Sequence, residues 1–275
     1  MSIMKKLREY LNRPLSFVMF LLIIISTVIT ALTVVFIIGY IFIKGVPNLS
    51  LDLFSLKYSS SNQSMLPSII NTVYLTALTL LLSVPIGIFS AIYLAEYSRK
   101  NSFVVKRINI ANETLSGIPS IVYGLFGFLA FVISKKWGYS LLAGVITLAI
   151  MVLPLIIRTS QEAMLGVDNT FREASYGLGA GKLRTVFKIV LPSAMPGILS
   201  GIILAIGRIV GETAALIYTA GTVPEAATKL TSSSRTISVH LYCLLNVGLY
   251  TEQAYATAVV PVSYTHLTLP TICSV

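Results

Sequence analysis

The sequence is poor in charged residues. Asp, Glu, Lys and Arg make up 11% of its 275 residues, whereas hydrophobic residues make up 55% and the mean hydropathy is +0.85. A soluble domain normally carries about 25% charged residues. Because so few charges cannot cover a surface that faces water, lipid must cover much of the chain. The composition predicts one membrane domain, to which the counting of soluble domains by length does not apply.

Cysteine and histidine are also scarce. The two cysteines, Cys243 and Cys273, give neither a disulfide framework nor the spacing of metal ligands. The two histidines, His240 and His266, have no ligand partner near them in the sequence. We therefore expect neither a metal site nor a catalytic site in this chain.

Five apolar stretches are long enough to cross a bilayer, whose core of about 30 Å needs about 20 helical residues. Backbone groups in lipid must pair within their own segment, so these stretches should be helices. The predicted helices cover about 15–43, 66–95, 114–134, 137–157 and 193–220. The expected fold is an all-α integral membrane protein, a polytopic helical bundle. Pro85, Pro119 and Pro154 lie inside three of these helices and should kink them.

The basic residues are distributed unevenly around these stretches. The net charge is +10, and Lys and Arg concentrate in 1–14, in the loop after the second stretch and in 158–190. The positive-inside rule places these segments in the cytoplasm, the N-terminus included, and 44–66 and 221–252 outside. A nucleic-acid partner is not expected, because these residues form no single patch. The first stretch is too long for a signal peptide and should remain as an anchor.

The segment 168–192 has the pattern of a short helical hairpin outside the membrane. A possible capping box, Thr170 to Glu173, opens the first helix, and Gly179-Ala180-Gly181 ends it. A second helix should begin near Lys182 and end at Pro192, with Leu183, Val186, Phe187 and Val190 on one face. A helix pair that is apolar on one side and basic on the other suits docking into a partner's groove. The alternative is an amphipathic helix on the membrane surface, which the glycine break disfavours.

The same glycines hint at a phosphate-binding P-loop, but two required positions are wrong. Tyr176 stands where the first glycine is needed, and Leu183 stands where a Ser or Thr must bind the metal. No strand precedes the segment. We therefore do not expect this chain to hydrolyse ATP.

Glu173-Ala174-Ser175, Gly179, Ile189 and Leu191-Pro192 stand at the spacing of a known motif. They resemble the EAA loop of binding-protein-dependent ABC importer permeases, with Ser175 in place of the second alanine. The resemblance implies a type I permease fold and coupling helices over 170–191 that sit in a cleft of a separate ATPase. Glu173 would give a polar contact or a cap, and Gly179 the turn. The implied coupling residues are Glu173, Ala174, Gly179, Leu183, Phe187, Ile189 and Pro192.

Three more segments narrow the resemblance, namely 116–124, 207–214 and 252–258. They are similar to phosphate permeases of the PstA type, and the similarity covers roughly 15–260. It implies import of inorganic phosphate across the bacterial cell membrane. The implied partners are a second permease of the PstC type, a dimeric ATPase of the PstB type that holds ATP and Mg, and an external phosphate-binding protein of the PstS type. No cofactor would be bound by this chain.

Arg208 and Glu212 interrupt the fifth apolar stretch. A charge at the centre of a bilayer costs about 2.5–3.5 kcal/mol on insertion scales, so such residues usually mark a substrate path. Four residues apart on a helix, the two side chains share a face and can pair. The guanidinium fork fits phosphate oxygens, so we expect Arg208 to attract the anion, Glu212 to orient Arg208 or release the anion from it, and Thr213 to lie in the path. The alternative is a structural ion pair that locks two helices.

Two questions stay open at this stage. The permease could carry another oxyanion, such as molybdate or sulfate, and rival classes are a stand-alone channel or carrier and a membrane component of phosphate signalling. The family also carries a sixth helix after Tyr255-Ala256-Thr257-Ala258, whereas 261–275 is mixed and turn-rich. We expect five clear membrane helices with the sixth lost, and a tail, 261–275, of foreign sequence.

Overall fold

The computed structural model describes residues 14–98 and 103–263. These residues form helices and connecting segments, with no strand among them, which confirms the all-α prediction. The ten main helices are α1 Pro14–Gly45, α2 Leu66–Tyr97, α3 Phe103–Gly117, α4 Ser120–Ser134, α5 Leu141–Leu165, α6 Asn169–Gly177, α7 Lys182–Gly211, α8 Ala214–Thr219, α9 Ile237–Val247 and α10 Thr251–Ser263. The basic N-terminal residues and most of the predicted foreign tail lie outside the described residues.

Four helices, α1, α2, α5 and α7, are long and apolar enough to cross a membrane. The consecutive helices α3 and α4 pass the same test together but are bent by 99°, so they make a fifth span if they count as one. The chain is therefore a multi-pass membrane protein. Its tenth helix runs through Pro261 to Ser263, three residues beyond the boundary predicted at 260.

Helix α5 lies at the centre of the bundle, where 67% of the residues in its 18-residue apolar stretch are buried. It packs against α2 and α7, and the close approach to α2 depends on Gly87, where an added Cβ would lie 2.6 Å from Ile156. Ser140 is the N-cap residue of this helix, and its hydroxyl accepts a hydrogen bond from the Ala143 N–H at 3.3 Å. By contrast, no residue in the corresponding apolar stretch of α1 is buried. That helix packs against α10, where the Tyr40 and Tyr255 rings meet edge to face.

The prediction of one continuous third helix over 114–134 is wrong. Helix α3 ends at Gly117, and Pro119, with φ −58° and ψ 140°, precedes α4. Proline has no N–H for the carbonyl four residues back, which is that of Leu115, and it disfavours helical geometry at the residue before it. The Leu115 oxygen instead accepts the Ile118 N–H at 3.2 Å and the Tyr123 hydroxyl at 2.8 Å, which together compensate for the missing bond. Pro85 and Pro154, in contrast, lie inside continuous helices.

The fifth predicted helix, 193–220, is also wrong in its limits. Helix α7 begins at Lys182 and ends at Gly211, and the short helix α8 follows after Glu212 and Thr213. Pro192 does not end the second helix of the hairpin, because the helix continues through it. A π-helical stretch, Val186–Val190, lies just before this proline. Such a stretch shifts the hydrogen-bond register, which accommodates a residue that has no N–H to donate.

Candidate functional site: a helical hairpin and a broken-helix junction

The helical hairpin consists of α6, the turn 178–181 and residues 182–190 of α7. Asp168, not Thr170, is its N-cap residue, since its carboxylate accepts the Thr170 N–H at 2.9 Å. This hydrogen bond lowers the pKa of Asp168. The predicted capping box is therefore wrong, and Glu173 lies exposed on the first helix. Because Asp168 caps the helix, the exposed Glu173 carboxylate is not needed as a cap and can face a partner.

The turn of the hairpin is fixed by backbone geometry and by one buried contact. Gly179 has φ +79°, a left-handed conformation that favours glycine. Its neighbour Ala180 donates its N–H to the Ser175 carbonyl at 3.1 Å. The buried hydroxyls of Ser175 and Thr185 lie 2.8 Å apart and join the two helices. The serine that replaces the family's second alanine thus closes the hairpin.

One side of the hairpin exposes large apolar side chains. Phe171 is 55% exposed, Leu178 89%, Leu183 68% and Phe187 39%. A groove of about 400 Å³ lies between the two helices. Its lining includes Phe171, Ala174, Leu178, Gly179, Arg184, Lys188 and Ile189. This face is unpartnered in the single chain, and its apolar and basic character matches a docking surface.

The opposite side of the hairpin packs into the bundle. Val186 and Val190 are buried in a cluster with Ile92 of α2 and Met164 of α5. The face predicted for Leu183, Val186, Phe187 and Val190 is therefore divided, with the two valines inside and the other two residues outside. The π-helical stretch changes the angle between successive residues, which the ideal helical period did not include. Pro192 lies exposed just beyond the hairpin.

A buried ion pair that the sequence did not indicate fixes the base of the hairpin. Arg172 donates to the Glu96 carboxylate from Nη2 at 2.7 Å and from Nε at 3.1 Å. The two side chains are only 13% and 7% exposed. Glu96 lies in the last turn of α2, 76 positions before its partner. Sequence spacing carries no signal for such a pair, although an acidic residue at the end of an apolar helix was a visible clue.

The predicted pair Arg208–Glu212 does not form. Helix α7 ends at Gly211, and Glu212 has extended backbone geometry, so the two residues do not share a helix face. The Glu212 carboxylate is buried and accepts the Ala215 N–H at 3.0 Å, which caps α8. In the described part of the chain, the ion pairs are Arg158–Glu162 and Arg172–Glu96. Arg208, in the last turn of α7, and Thr213, within the helix break, are both half-buried.

The two helix breaks lie against each other. At Gly124 of α4, an added Cβ would lie 2.7 Å from the Cα atom of Ala215 in α8. Ser238 of α9 donates to the carbonyls of Val210 and Glu212 at 2.9 and 3.0 Å and holds the second break. We call this region, 118–124 and 208–215, the broken-helix junction. Interrupted helices are tolerated at membrane depth where they line a cavity or a solute path.

A second cluster that the sequence did not indicate joins the two segments predicted to be external, 44–66 and 221–252. The buried His240 ring meets the Tyr58 ring edge to face, and the Arg235 guanidinium stacks 5.0 Å from the same tyrosine ring. Burial, followed by the positive charge of Arg235, lowers the pKa of His240 to about 4. The histidine is therefore neutral near pH 7.

The fold defines the class of this protein. The chain is similar to a chain of a bacterial ABC transporter involved in the import of the acidic polysaccharide alginate, with a TM-score of 0.65, 16% identity and coverage of 98% of both chains. It is also similar to a chain of the MetNI methionine ABC transporter in an inward-facing conformation, with a TM-score of 0.55, 16% identity and coverage of 76% of this chain and 90% of that one. The fold is that of a type I ABC transporter permease, as the EAA resemblance implied.

The family follows from the sequence. Residues 83–263 match the family described as binding-protein-dependent transport system inner membrane component, and the chain belongs to this family. By that description the family supplies the membrane component of a transport system. The matched region contains both the helical hairpin and the broken-helix junction.

Curated relatives include phosphate permeases. The chain is 38% identical over 185 residues to the probable ABC transporter permease protein YqgI of Bacillus subtilis, covering 66% of this chain and 63% of that protein. It is 34% identical over 218 residues to the phosphate transport system permease protein PstA of Haemophilus influenzae, covering 78% and 77%. It is 41% identical over 154 residues to PstA 2 of Mycobacterium tuberculosis, covering 56% and 50%. The matched part thus spans between half and about three quarters of these relatives, and the predicted resemblance to PstA-type permeases is confirmed.

Proposed function

We propose that this chain is the membrane-spanning permease subunit of an ATP-driven importer of inorganic phosphate. The single observation that carries the proposal is its 34% identity with PstA of Haemophilus influenzae over 78% of this chain. The importer would stand in a bacterial cell membrane, with the N-terminus and the helical hairpin in the cytoplasm. Its other parts would be a second permease, two copies of an ATPase and an external phosphate-binding protein.

The helical hairpin is the proposed docking site of the ATPase. Leu178 and Leu183 expose most of their apolar surface there, beside the basic residues Arg184 and Lys188. Burial of apolar surface contributes about 25 cal/mol per Å², so two such leucines supply a useful part of a docking interface. ATP and Mg would be held by the ATPase, since the glycines of the turn lack the residues of a phosphate-binding loop around them.

The broken-helix junction is the proposed phosphate path. Arg208 forms no ion pair among the described residues, so its guanidinium remains available to an anion. A planar guanidinium binds two phosphate oxygens at once. Glu212, which caps α8, would keep the helix break in shape instead of releasing the substrate. Thr213 lies beside it in the break.

Uptake of radiolabelled phosphate tests the proposal. The complete importer, with its phosphate-binding protein, is placed in cells that lack every other phosphate importer. We expect uptake that requires the ATPase and that a hundredfold excess of unlabelled phosphate abolishes. Uptake without the ATPase would instead indicate a stand-alone carrier. Competition by molybdate or sulfate that is as strong as competition by phosphate would contradict the assigned substrate.

Docking is tested by one substitution on the hairpin and by a control substitution outside it. Leu183→Asp places a charge on the exposed face and should release the ATPase on co-purification. Glu113→Asp is the control, since Glu113 lies beside Arg158 in a polar pocket that is separate from the hairpin. Retention of the ATPase by the Leu183 variant would contradict docking at this face.

A further inference from the structure

Arg172 is the most highly connected charged side chain at the base of the helical hairpin. Besides its two bonds to the Glu96 carboxylate, Nη2 donates to the Met164 carbonyl at 2.8 Å and Nη1 donates to the Val167 carbonyl at 2.7 Å. A longer bond of 3.3 Å reaches the Asn169 side chain. One guanidinium thus uses all three of its nitrogens within a nearly buried site.

Arg172 and its main partners join three helices. Arg172 itself lies in α6, Glu96 lies in the last turn of α2, and Met164 lies at the end of the central helix α5. The Lys182 ammonium, at the start of α7, lies 5.0 Å from the Tyr97 ring of α2 and adds a weaker contact at the same place. The hairpin is therefore joined by directed polar bonds to two membrane helices.

The geometry separates the attached face from the exposed face. Phe171 and Leu183 are 55% and 68% exposed on the free side, whereas the Arg172 and Glu96 side chains are nearly buried on the other. Val186 and Ile92 belong to one buried apolar cluster, and apolar packing of this kind has no preferred direction. A charged pair with two hydrogen bonds holds the two segments in one position, because breaking a buried pair leaves an unpaired buried charge.

We propose that the Arg172–Glu96 ion pair transmits the movement of the hairpin to α2 and α5, which makes Arg172 and Glu96 positioning residues of the transport cycle. This inference rests on the proposed docking of an ATPase on the hairpin. A force applied at the exposed face reaches α2 through Glu96 and reaches α5 through the Met164 carbonyl, while the bond to the Val167 carbonyl holds the turn between α5 and α6. Without the pair, the hairpin moves and the two membrane helices follow incompletely.

The chain contains a matched control. Arg158 and Glu162 also form an ion pair, with Nε and Oε1 at 3.0 Å, but both residues lie in α5 and their side chains are 57% and 62% exposed. This pair joins no two elements. Exposed pairs contribute little to stability, because water and salt screen them. Loss of this pair removes one Arg–Glu contact without loosening the attachment of the hairpin to α2 and α5.

The test uses the complete importer reconstituted in lipid vesicles. Glu96→Gln removes the charge but keeps the Arg172 bonds to α5, and Arg172→Lys keeps the charge but cannot reach all its partners. The double variant combines the two, and Arg158→Gln is the control. Three quantities are measured for each complex: retention of the ATPase on co-purification, the rate of ATP hydrolysis, and phosphate taken up per ATP hydrolysed.

We expect Glu96→Gln and Arg172→Lys to retain the ATPase and its hydrolysis, while phosphate uptake per ATP falls about tenfold, within the usual range of coupling between sites. The double variant should be no worse than the more affected single variant, and Arg158→Gln should match the wild type. An unchanged ratio in both single variants, or losses that multiply in the double variant, would overturn the inference, as would loss of the ATPase from the Glu96→Gln complex. A wild-type complex that carries no phosphate would instead overturn the proposed function on which the inference rests.

Discussion

Two arginine–glutamate combinations in this chain behave in opposite ways. Arg208 and Glu212 are four residues apart in an apolar stretch, yet the structure separates them. Arg172 and Glu96 are 76 residues apart, yet they share two hydrogen bonds in a nearly buried site. Proximity in sequence predicts a pair only where the helix between the residues is continuous. At a buried site such as that of Arg172, a partner of opposite charge lowers the cost of burying the guanidinium.

The separation of Arg208 from Glu212 gives the two residues different tasks. Glu212 is used by the fold, since it caps α8 and its carbonyl accepts the Ser238 hydroxyl. Arg208 has no such structural partner among the ion pairs of the described residues. A paired arginine stabilises the hairpin, and an unpaired one remains available to an anion. This difference is the reason for proposing a coupling role for Arg172 and a substrate role for Arg208.

The largest effect on stability should come from Arg172→Gln. This change leaves the Glu96 carboxylate buried without its partner, so we expect the free energy of unfolding to fall by about 3–5 kcal/mol. Titration with SDS in mixed micelles, followed by circular dichroism, measures the change. Arg158→Gln, which breaks an exposed pair, should cost less than about 1 kcal/mol. Equal losses in the two variants would remove the contrast between buried and exposed pairs.

A smaller effect should appear as a pH dependence due to His240. Its pKa is about 4 in the folded chain and 6.5 for a free side chain, because burial and the Arg235 charge disfavour the protonated form. The unfolded chain therefore binds the extra proton first, and stability is lost as the pH falls from about 6.5 towards 4. By pH 5 the loss should be about 2 kcal/mol. The same SDS titration at pH 7.5 and pH 5 measures it.

The control for this pH dependence is His240→Gln, which cannot titrate. Its stability should differ much less between the two pH values than that of the wild type. If both chains lose the same stability, the loss comes from other groups, and neither burial nor the Arg235 charge lowers the pKa of His240 as described.

The smallest effect should come from Glu212. Glu212→Ala removes the acceptor that caps α8 and should cost about 0.5–2 kcal/mol. Glu212→Gln keeps an acceptor oxygen and should cost less than half as much. If instead the carboxylate formed an ion pair with Arg208, the charge would matter more than the acceptor. The two substitutions would then have nearly equal effects, which thermal unfolding in detergent distinguishes.

Much of the fold was predictable because the positions of the long helices follow from hydropathy. Apolar stretches located α1, α2, α5 and α7, since lipid forces their backbones into helices. The helix breaks were not predictable to the same degree. Pro85, Pro119 and Pro154 look alike in sequence, yet only the second breaks its helix, where the Tyr123 hydroxyl satisfies the Leu115 carbonyl. The presence of a proline in an apolar stretch therefore does not by itself predict a helix break.

The candidate site was predictable in part for the same reason. The glycine turn and the exposed apolar residues of the hairpin follow from local pattern. The division of its second helix depends on a π-helical stretch, Val186–Val190, and local pattern does not encode that stretch. The Arg172–Glu96 pair depends on two distant segments meeting, and His240 acquires its neighbours Tyr58 and Arg235 only in the fold.

Phosphate uptake by the importer carrying Arg208→Gln tests the central claim most directly. Charge-assisted hydrogen bonds contribute about 1.5–3 kcal/mol, so the change should reduce uptake about tenfold to a hundredfold. The ATPase should remain bound, the chain should reach the membrane in normal amounts, and Arg158→Gln should transport like the wild type. Unchanged uptake by an Arg208→Gln importer that is present in normal amounts would contradict the account.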